Sequence, residues 1–366
     1  MFGKIARFEL GYQFRNPVFW VVSVLFFLLP FGAMTTEQIQ IGGGGNIHKN
    51  APVAIAQILQ IMTLFYMFVT TAFVANVIVR DDESGFGPMV RSTRVTRFDY
   101  LMGRFLGAFI AAAITFVVVP LAIWIGSLMP WVDAETLGPN QLSSYLYAYF
   151  LLALPNLLLT AAIFFAVATM TRSMMYSYLG VVVFLVLYVV LNTVIRSKPE
   201  YRDLGAYIEP FGLGAMGKTT RYYTASEANV QLPAFADILL WNRLIWLFVS
   251  AGALVLAYSR FTFSEKGASA RQLRRQKRKE AKLAASPALI VDRLPPVRPA
   301  AANWARLWLR CRFEMGLVFR SPAFFVLLLV GLFNALGGLM FSGELYGTAA
   351  RPLTFAVIGT LMGAFG

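Results

Sequence analysis

Apolar residues in this chain come in long blocks, unlike the alternation of strands or the one-sided stripe of a surface helix. Six blocks before residue 265 are near the length, about 20 residues, that a bilayer-crossing helix needs. They are residues 18–34, 55–79, 105–128, 145–170, 176–195 and 244–261. A seventh covers 323–341, and an eighth begins at 353 and stops at 366, too short to cross untilted. This pattern predicts an all-α polytopic transmembrane bundle. The first block is too long for a secretory signal core, and no A-x-A-like site follows Phe31-Gly32-Ala33-Met34, so it is expected to persist as an anchor.

Composition strengthens the membrane reading. Hydrophobic residues make up 58% of the chain and charged ones 14%, where soluble domains carry about 25% charged residues. The single cysteine, Cys311, cannot form an internal disulfide, and the single histidine, His48, leaves little for a histidine-based metal site or a Ser-His-Asp triad.

The net charge of +14 is unevenly placed. Lys4, Arg7 and Arg15 precede the first block. Arg80, Arg91, Arg94, Arg97 and Arg104 surround the second connection, and Arg172 follows the fourth block. The first connection has only Lys49, and the third has Asp133 and Glu135 with no base. The positive-inside rule therefore predicts a cytoplasmic N-terminus for a multi-pass membrane protein. The fifth connection is too long for the rule and is placed outside by parity. From Arg260 to Arg312 there are about 14 basic and 3 acidic residues, followed in part by a Pro-rich run, Leu294-Pro-Pro-Val-Arg-Pro299. Residues 266–300 thus read as a basic cytoplasmic linker whose charges suit anionic headgroups. No aromatic residue interleaves the bases of its core, so nucleic acid is not an expected partner.

The chain repeats itself. Arg7-Phe-Glu-Leu-Gly-Tyr-Gln-Phe-Arg-Asn-Pro-Val-Phe-Trp20 recurs as Arg312-Phe-Glu-Met-Gly-Leu-Val-Phe-Arg-Ser-Pro-Ala-Phe-Phe325, with eight identities in fourteen positions and no gap. Each copy leads into an apolar block, so the unit is a short interfacial helix followed by a membrane bundle. Phe2, Ile5, Phe8 and Tyr12 would form its apolar face, and Pro17 would turn the chain into the span. Glu9 and Glu314 are out of place near anionic lipid and call for a partner, an arginine neighbour or solvent. The organisation expected is a first unit at 1–265, the linker, and a second unit begun at 301–366 that a longer protein would complete.

These features resemble the membrane subunits of ABC-2 type exporters. The resemblance rests on the interfacial helix ending in Arg15-Asn16-Pro17, and on the charged segment from Arg80-Asp-Asp-Glu83 to Arg91, Arg94 and Arg97. It rests also on Gly103-Arg104 opening the third span. The loop Gln38-Ile-Gln-Ile-Gly-Gly-Gly-Gly-Asn-Ile-His-Lys-Asn-Ala-Pro52 resembles a bacterial subgroup in which two permease units precede a gluzincin-type zinc aminopeptidase. With one histidine no H-e-x-x-H motif exists here, so no peptidase chemistry transfers. The resemblance implies a six-span unit that is no enzyme and holds no cofactor of its own. ATP would be bound by a separate cytoplasmic ABC ATPase, docked through Glu9, Arg15, Arg80, Asp81, Asp82, Glu83, Arg91, Arg94 and Arg97. Further partners would be membrane lipids and a second permease unit or a homodimer. The alternative is a non-transporting membrane anchor for a fused or associated metallo-aminopeptidase.

Gly212-Leu-Gly-Ala-Met-Gly-Lys-Thr219 matches the P-loop pattern by letter. The preceding Tyr207-Ile-Glu-Pro-Phe211 does not read as a central strand, so a Gly-rich turn in the fifth connection is expected instead. No Asp, Glu, Lys or Arg falls inside the six blocks as drawn, which argues against a proton-coupled carrier. Gln57, Gln60, Asn76 and Asn156 remain as interhelical hydrogen-bonding groups or the lining of a substrate path.

Overall fold

The computed structural model describes residues 1–36, 46–83, 95–197, 199–261, 307–313, 315, 344–345 and 348–349. The chain divides into two units, Met1–Phe263 and Ser264–Gly366. In the second, 307–313 are helical and exposed, and Glu344–Leu345 pairs antiparallel with Thr348–Ala349. The linker, the seventh and eighth blocks, Arg91, Arg94, Glu314 and the loop 37–45 lie outside the described residues. So do the side chains of Asp82 and Glu83.

The first unit is an all-α bundle. Helix α1 (Phe2–Arg15) passes into α2 (Pro17–Thr35) through Asn16, whose side chain accepts the Val18 N–H at 3.0 Å while Pro17 takes the first helical position. Lys49 closes the other end of α2 by donating to the Thr36 and Met34 carbonyls. Helix α3 (Pro52–Glu83) has 32 residues, a length of about 48 Å. Then follow α4 (Arg97–Phe116), α5 (Val118–Gly126), α6 (Leu142–Tyr147), α7 (Leu154–Thr171) and α8 (Met174–Ser197). Three short helices, α9 (Arg202–Ile208), α10 (Leu213–Thr219) and α11 (Ala225–Val230), lead to α12 (Asp237–Arg260).

Two of the prolines inside spans, Pro120 and Pro155, explain two irregularities. Pro120 offers no N–H to Phe116, and the helix breaks at Val117, whose N–H turns back to Ile114. That leaves the Ala113 carbonyl open, and the Tyr149 hydroxyl donates to it at 2.7 Å. Pro155 is preceded by a π-helical turn at Ala148–Ala153, which absorbs the lost bond to Leu151. Non-helical backbone at this depth is tolerated because protein groups satisfy it.

Six segments are long and apolar enough to cross a membrane, Pro17–Thr35, Pro52–Asp81, Arg97–Gly126, Leu142–Thr171, Met174–Asn192 and Asp237–Arg260. The third and sixth begin about two turns earlier than the hydropathy blocks, and the second runs on through Asp81. Arginine marks a block's edge in a hydropathy reading but not in a helix that supplies it with partners. The spans therefore do hold charge: Arg80, Asp81, Arg104 and Arg243 are helical, and the last three are buried. The expectation of uncharged spans is corrected accordingly.

Helix α3 is the centre, packed against α4 and α7 with Tyr66, Phe116 and Phe26 in edge-to-face contact. Helices α2 and α8 turn Val21, Val24, Leu28, Leu187 and Leu191 outward, as bilayer-facing helices do. Helix α1 lies mainly on α4, and the contact is close because α4 offers Gly103 and Gly107. A Cβ at Gly107 would stand 2.6 Å from the Ala6 carbonyl oxygen and 2.7 Å from the Glu9 Cβ. One at Gly103 would stand 3.0 Å from the Phe2 carbonyl oxygen. This is the small-xxx-small approach of membrane helices, used here to seat α1. Gly107→Ala is expected to lift α1 and cost about 1–3 kcal/mol, read as a lower midpoint of thermal unfolding in detergent. An unchanged midpoint would show that α1 is not held by this contact.

Candidate functional site

The face that α1 buries is polar. Glu9 and Gln13 are its buried residues, while Phe8 and Tyr12, on the apolar face expected to lie in the interface, are exposed. Glu9 reaches two arginines from distant parts of the chain. Arg80 at the end of α3 donates to it at 2.8 Å, and Arg104 on α4 at 2.5 Å. Arg104 also donates to Asp81 at 2.7 Å, and Asp81 accepts the Tyr100 hydroxyl at 2.7 Å. Gln13 donates to Glu9 at 2.9 Å. Arg80 lies over the Tyr12 ring, 3.8 Å from its centroid.

Among the described residues this cluster has two carboxylates and two guanidinium groups, so these are balanced. Neutrality is what makes its burial tolerable, since an unpaired charge in low dielectric costs several kcal/mol. It ties α1 to α3 and α4 at one point. The Asp99 carboxylate adds a second tie, accepting the Phe2 N–H at 3.0 Å and the Thr96 hydroxyl.

The structure thus divides the residues proposed to meet a partner. Glu9 and Asp81 are buried and paired within the unit, and Arg80 is largely so. Arg15 and Arg97 are exposed. Asp82 and Glu83 close the backbone of α3 beside the cluster. Arg104, Tyr100 and Gln13 complete the cluster, and sequence reasoning assigned them no part in it. The recoverable trace is the spacing Tyr100, Arg104 and Gly103, Gly107, which puts a hydroxyl and a cation on one helical stripe and a close-approach surface beside it.

A second polar cluster lies at the opposite end of the bundle. Arg243, 2% exposed, donates to Asn156 on α7, to Asn242 and to the Pro210 carbonyl. Asn156 also donates to Thr63 and to the Phe211 carbonyl, and Gln60 on α3 donates to that same carbonyl at 3.2 Å. Asn242 donates to the carbonyls of Ala206, Tyr207 and Glu209. The Glu209 carboxylate accepts the N–H groups of Phe211 and Gly214. Together they bind the α9–α10 turn into the bundle. Gly212 has φ 76°, and an added Cβ there would collide with the Arg243 guanidinium.

The P-loop-like letters therefore form a turn and then helix α10, preceded by helix α9 instead of a strand. This corrects the expectation of a simple Gly-rich turn and leaves no phosphate cradle. Of the four proposed path residues, Gln60 and Asn156 meet in this cluster, whereas Gln57 and Asn76 are half-buried elsewhere on α3. Nearby, Asn50 pairs with Gly138 in both directions at 2.7 Å, and the His48 N–H bonds Asn229. The connections at this end are thereby joined to one another. The Glu227 carboxylate, accepting the Thr224 N–H and hydroxyl in a capping box, is held below the usual carboxylate range. Among the described residues no group of His, Cys, Asp and Glu is arranged to hold a metal. Compared with known proteins, the chain matches no family model and no curated sequence.

Glu9→Gln would leave two guanidinium groups against one carboxylate in a buried site, at a cost of about 3–5 kcal/mol. The double change E9Q/R80Q restores neutrality and is expected to recover a large part of the lost thermal stability. Equal losses in the single and double variants would rule out charge balance as the organising term. At the other end, Arg243→Met removes the donors that hold Asn156 and the Pro210 carbonyl. Hydrogen exchange across 202–219 should then rise sharply while α4 stays protected. Unchanged exchange there would mean that the turn is held by other contacts.

Proposed function

We propose that the chain is the membrane-spanning subunit of an ATP-driven exporter of the ABC-2 type, in a bacterial inner membrane with its N-terminus cytoplasmic. A separate cytoplasmic ABC ATPase would bind and hydrolyse ATP. This chain would supply the path and take up the motion, and it would pair with a second permease unit or a homodimer. The observation that carries the reading is the placement of Glu9. A helix outside the spans is bonded through one buried carboxylate to the ends of two spans at once. A mere anchor needs no such linkage, whereas a device that converts a push on α1 into movement of α3 and α4 does.

In this reading the contact surface and the transmitting cluster are distinct. Arg97, with Asp82, Glu83, Arg91 and Arg94 of the same connection, meets the ATPase. Glu9, Arg80, Asp81 and Arg104 pass the displacement inward. At the far end, Arg243 holds the α9–α10 turn across α3 and α7, where Gln60 and Asn156 border the exit of the path. The buried carboxylate that the spans do hold, Asp81, is paired with Arg104 and the Tyr100 hydroxyl, so the energy for moving such a turn is assigned to the ATPase.

Purification from native membranes in mild detergent, with mass spectrometry of retained proteins, tests this. A stoichiometric P-loop ATPase is expected, and charge reversal of Asp82, Glu83 and Arg97 should release it. E9Q should keep the ATPase bound but uncouple its activity from the permease. Retention of a peptidase without any ATPase would move the assignment to the anchor.

A further inference from the structure

The internal repeat can be sorted by what each repeated residue does in the first unit. Of the eight identities, Glu9 is in the buried cluster, Phe14 and Phe19 pack on the core, and Pro17 opens α2. The other four are Arg7, Phe8, Gly11 and Arg15, and all are exposed. Among the described residues no contact accounts for Arg7, Gly11 and Arg15, while the Phe8 ring lies 5.5 Å from the Arg104 guanidinium. Phe8 is 61% exposed, and a Cβ at Gly11 would meet nothing within 4 Å. A glycine inside an exposed helix lowers helix stability, so open space alone does not explain its presence in both copies.

Arg7, Gly11 and Arg15 follow one another at four-residue steps and so form a single ridge. The Cα atoms of the two arginines are about 12 Å apart along the axis, with a gap at Gly11 where the helix backbone is bare. Phe8 and Tyr12 run beside them. Among the described side chains the surface is cationic: each carboxylate described at this end, Glu9, Asp81 and Asp99, is bonded inward, while Lys4, Arg7, Arg15, Arg97 and Arg260 face out. Arg15 stands two residues before α2, whose Val18, Trp20 and Val21 are exposed apolar groups. The ridge therefore lies where the apolar belt begins.

We infer that the Arg7–Gly11–Arg15 ridge of α1 is a binding surface for the headgroups of anionic phospholipids, with the glycine gap admitting a phosphate between the two guanidinium groups and Phe8 beside the acyl chains. Cations flanked by exposed aromatic residues at the start of a span suit headgroups. A protein partner would leave Phe8 and Trp20 facing the bilayer unused. The inference removes Arg15 from the surface that meets an ATPase. It needs only the membrane and stands whether or not the protein is an exporter.

The test is native mass spectrometry of the purified full chain with phosphatidylglycerol and phosphatidylcholine of identical acyl chains. The natural protein should retain phosphatidylglycerol preferentially. R7Q/R15Q should lower that retention by about tenfold, since each interfacial cation contributes strongly to anionic-lipid attraction, and leave phosphatidylcholine unchanged. K218Q/R221Q, which removes the same charge at the opposite end, should not. Gly11→Leu keeps every charge and favours the helix, so a fall in phosphatidylglycerol retention with an equal or higher melting temperature would support the gap. Unaltered retention in R7Q/R15Q would overturn the proposal. An equal fall in K218Q/R221Q, showing attraction by net charge alone, would also overturn it. So would release of a bound protein from R7Q/R15Q with lipid retention intact.

Discussion

Burying charge in a membrane protein imposes two conditions at once, neutrality and hydrogen bonds for every exposed lone pair and N–H. The cluster of Glu9, Arg80, Asp81 and Arg104 meets the first by having two groups of each sign. It comes close to meeting the second with Tyr100, Gln13 and the Tyr12 ring. Once this cluster is required, much of the surrounding structure follows. Helix α1 must approach α4 closely enough for a glutamate side chain to reach both arginines, and Gly103 and Gly107 allow it. Helix α3 must continue as helix past the apolar belt to present Arg80 and Asp81. The turn at Asn16 and Pro17 must be tight, so that α1 folds back beside the span it precedes.

The bundle was legible from sequence because its information is one-dimensional. A run of apolar residues near membrane thickness needs no knowledge of neighbours, and all six blocks before residue 265 correspond to helices. Pro120 and Pro155 likewise announce a broken ladder from their own chemistry. Charge pairing carries no such mark. Glu9 is recognisable as a carboxylate in need of a partner, but the partners stand 71 and 95 residues away. Nothing in local spacing distinguishes Arg80 and Arg104 from the exposed Arg97. Arg243 is hidden for the same reason. Placed at the edge of an apolar run, it reads as a flank, and only the folded turn at Pro210 and Phe211 reveals why it can be buried. The polar side of α1 is the least legible, because spacing marks Phe8 and Tyr12 as an apolar interfacial face and says nothing of the face that packs, which belongs to an ion cluster.

The two ends of the bundle solve one problem in different ways. At the α1 end, charge is balanced by charge, and the described groups come from three helices. At the opposite end a buried cation is held mostly by neutral oxygens, those of Asn156, Asn242 and Pro210. The amides that hold it bind the backbone of the α9–α10 turn in the same act. Severing one contact at the first end leaves an ion without its partner. Severing one at the second frees a turn whose own backbone groups must then find water. The first arrangement favours rigidity, and the second suits a segment that opens as a unit.

Helix α3 belongs to both clusters. Gln60 and Thr63 lie at one end of it and Arg80 and Asp81 at the other, separated by about 30 Å at 1.5 Å per residue, which is the thickness of the hydrocarbon core. Between them the helix contains no proline and is enclosed by α4 and α7, so it has little freedom to bend. A long helix clamped at one end by ion pairs moves as a rod. In the proposed coupling a displacement of α1 would shift Arg80 through Glu9 and be carried along unbroken α3 towards Gln60. Helix α4, held by the same glutamate, cannot transmit in this way, because its break at Val117 interrupts it halfway. Of the two spans tied to α1, α3 is therefore the one that can relate the state of the interfacial helix to that of the turn sealed by Arg243.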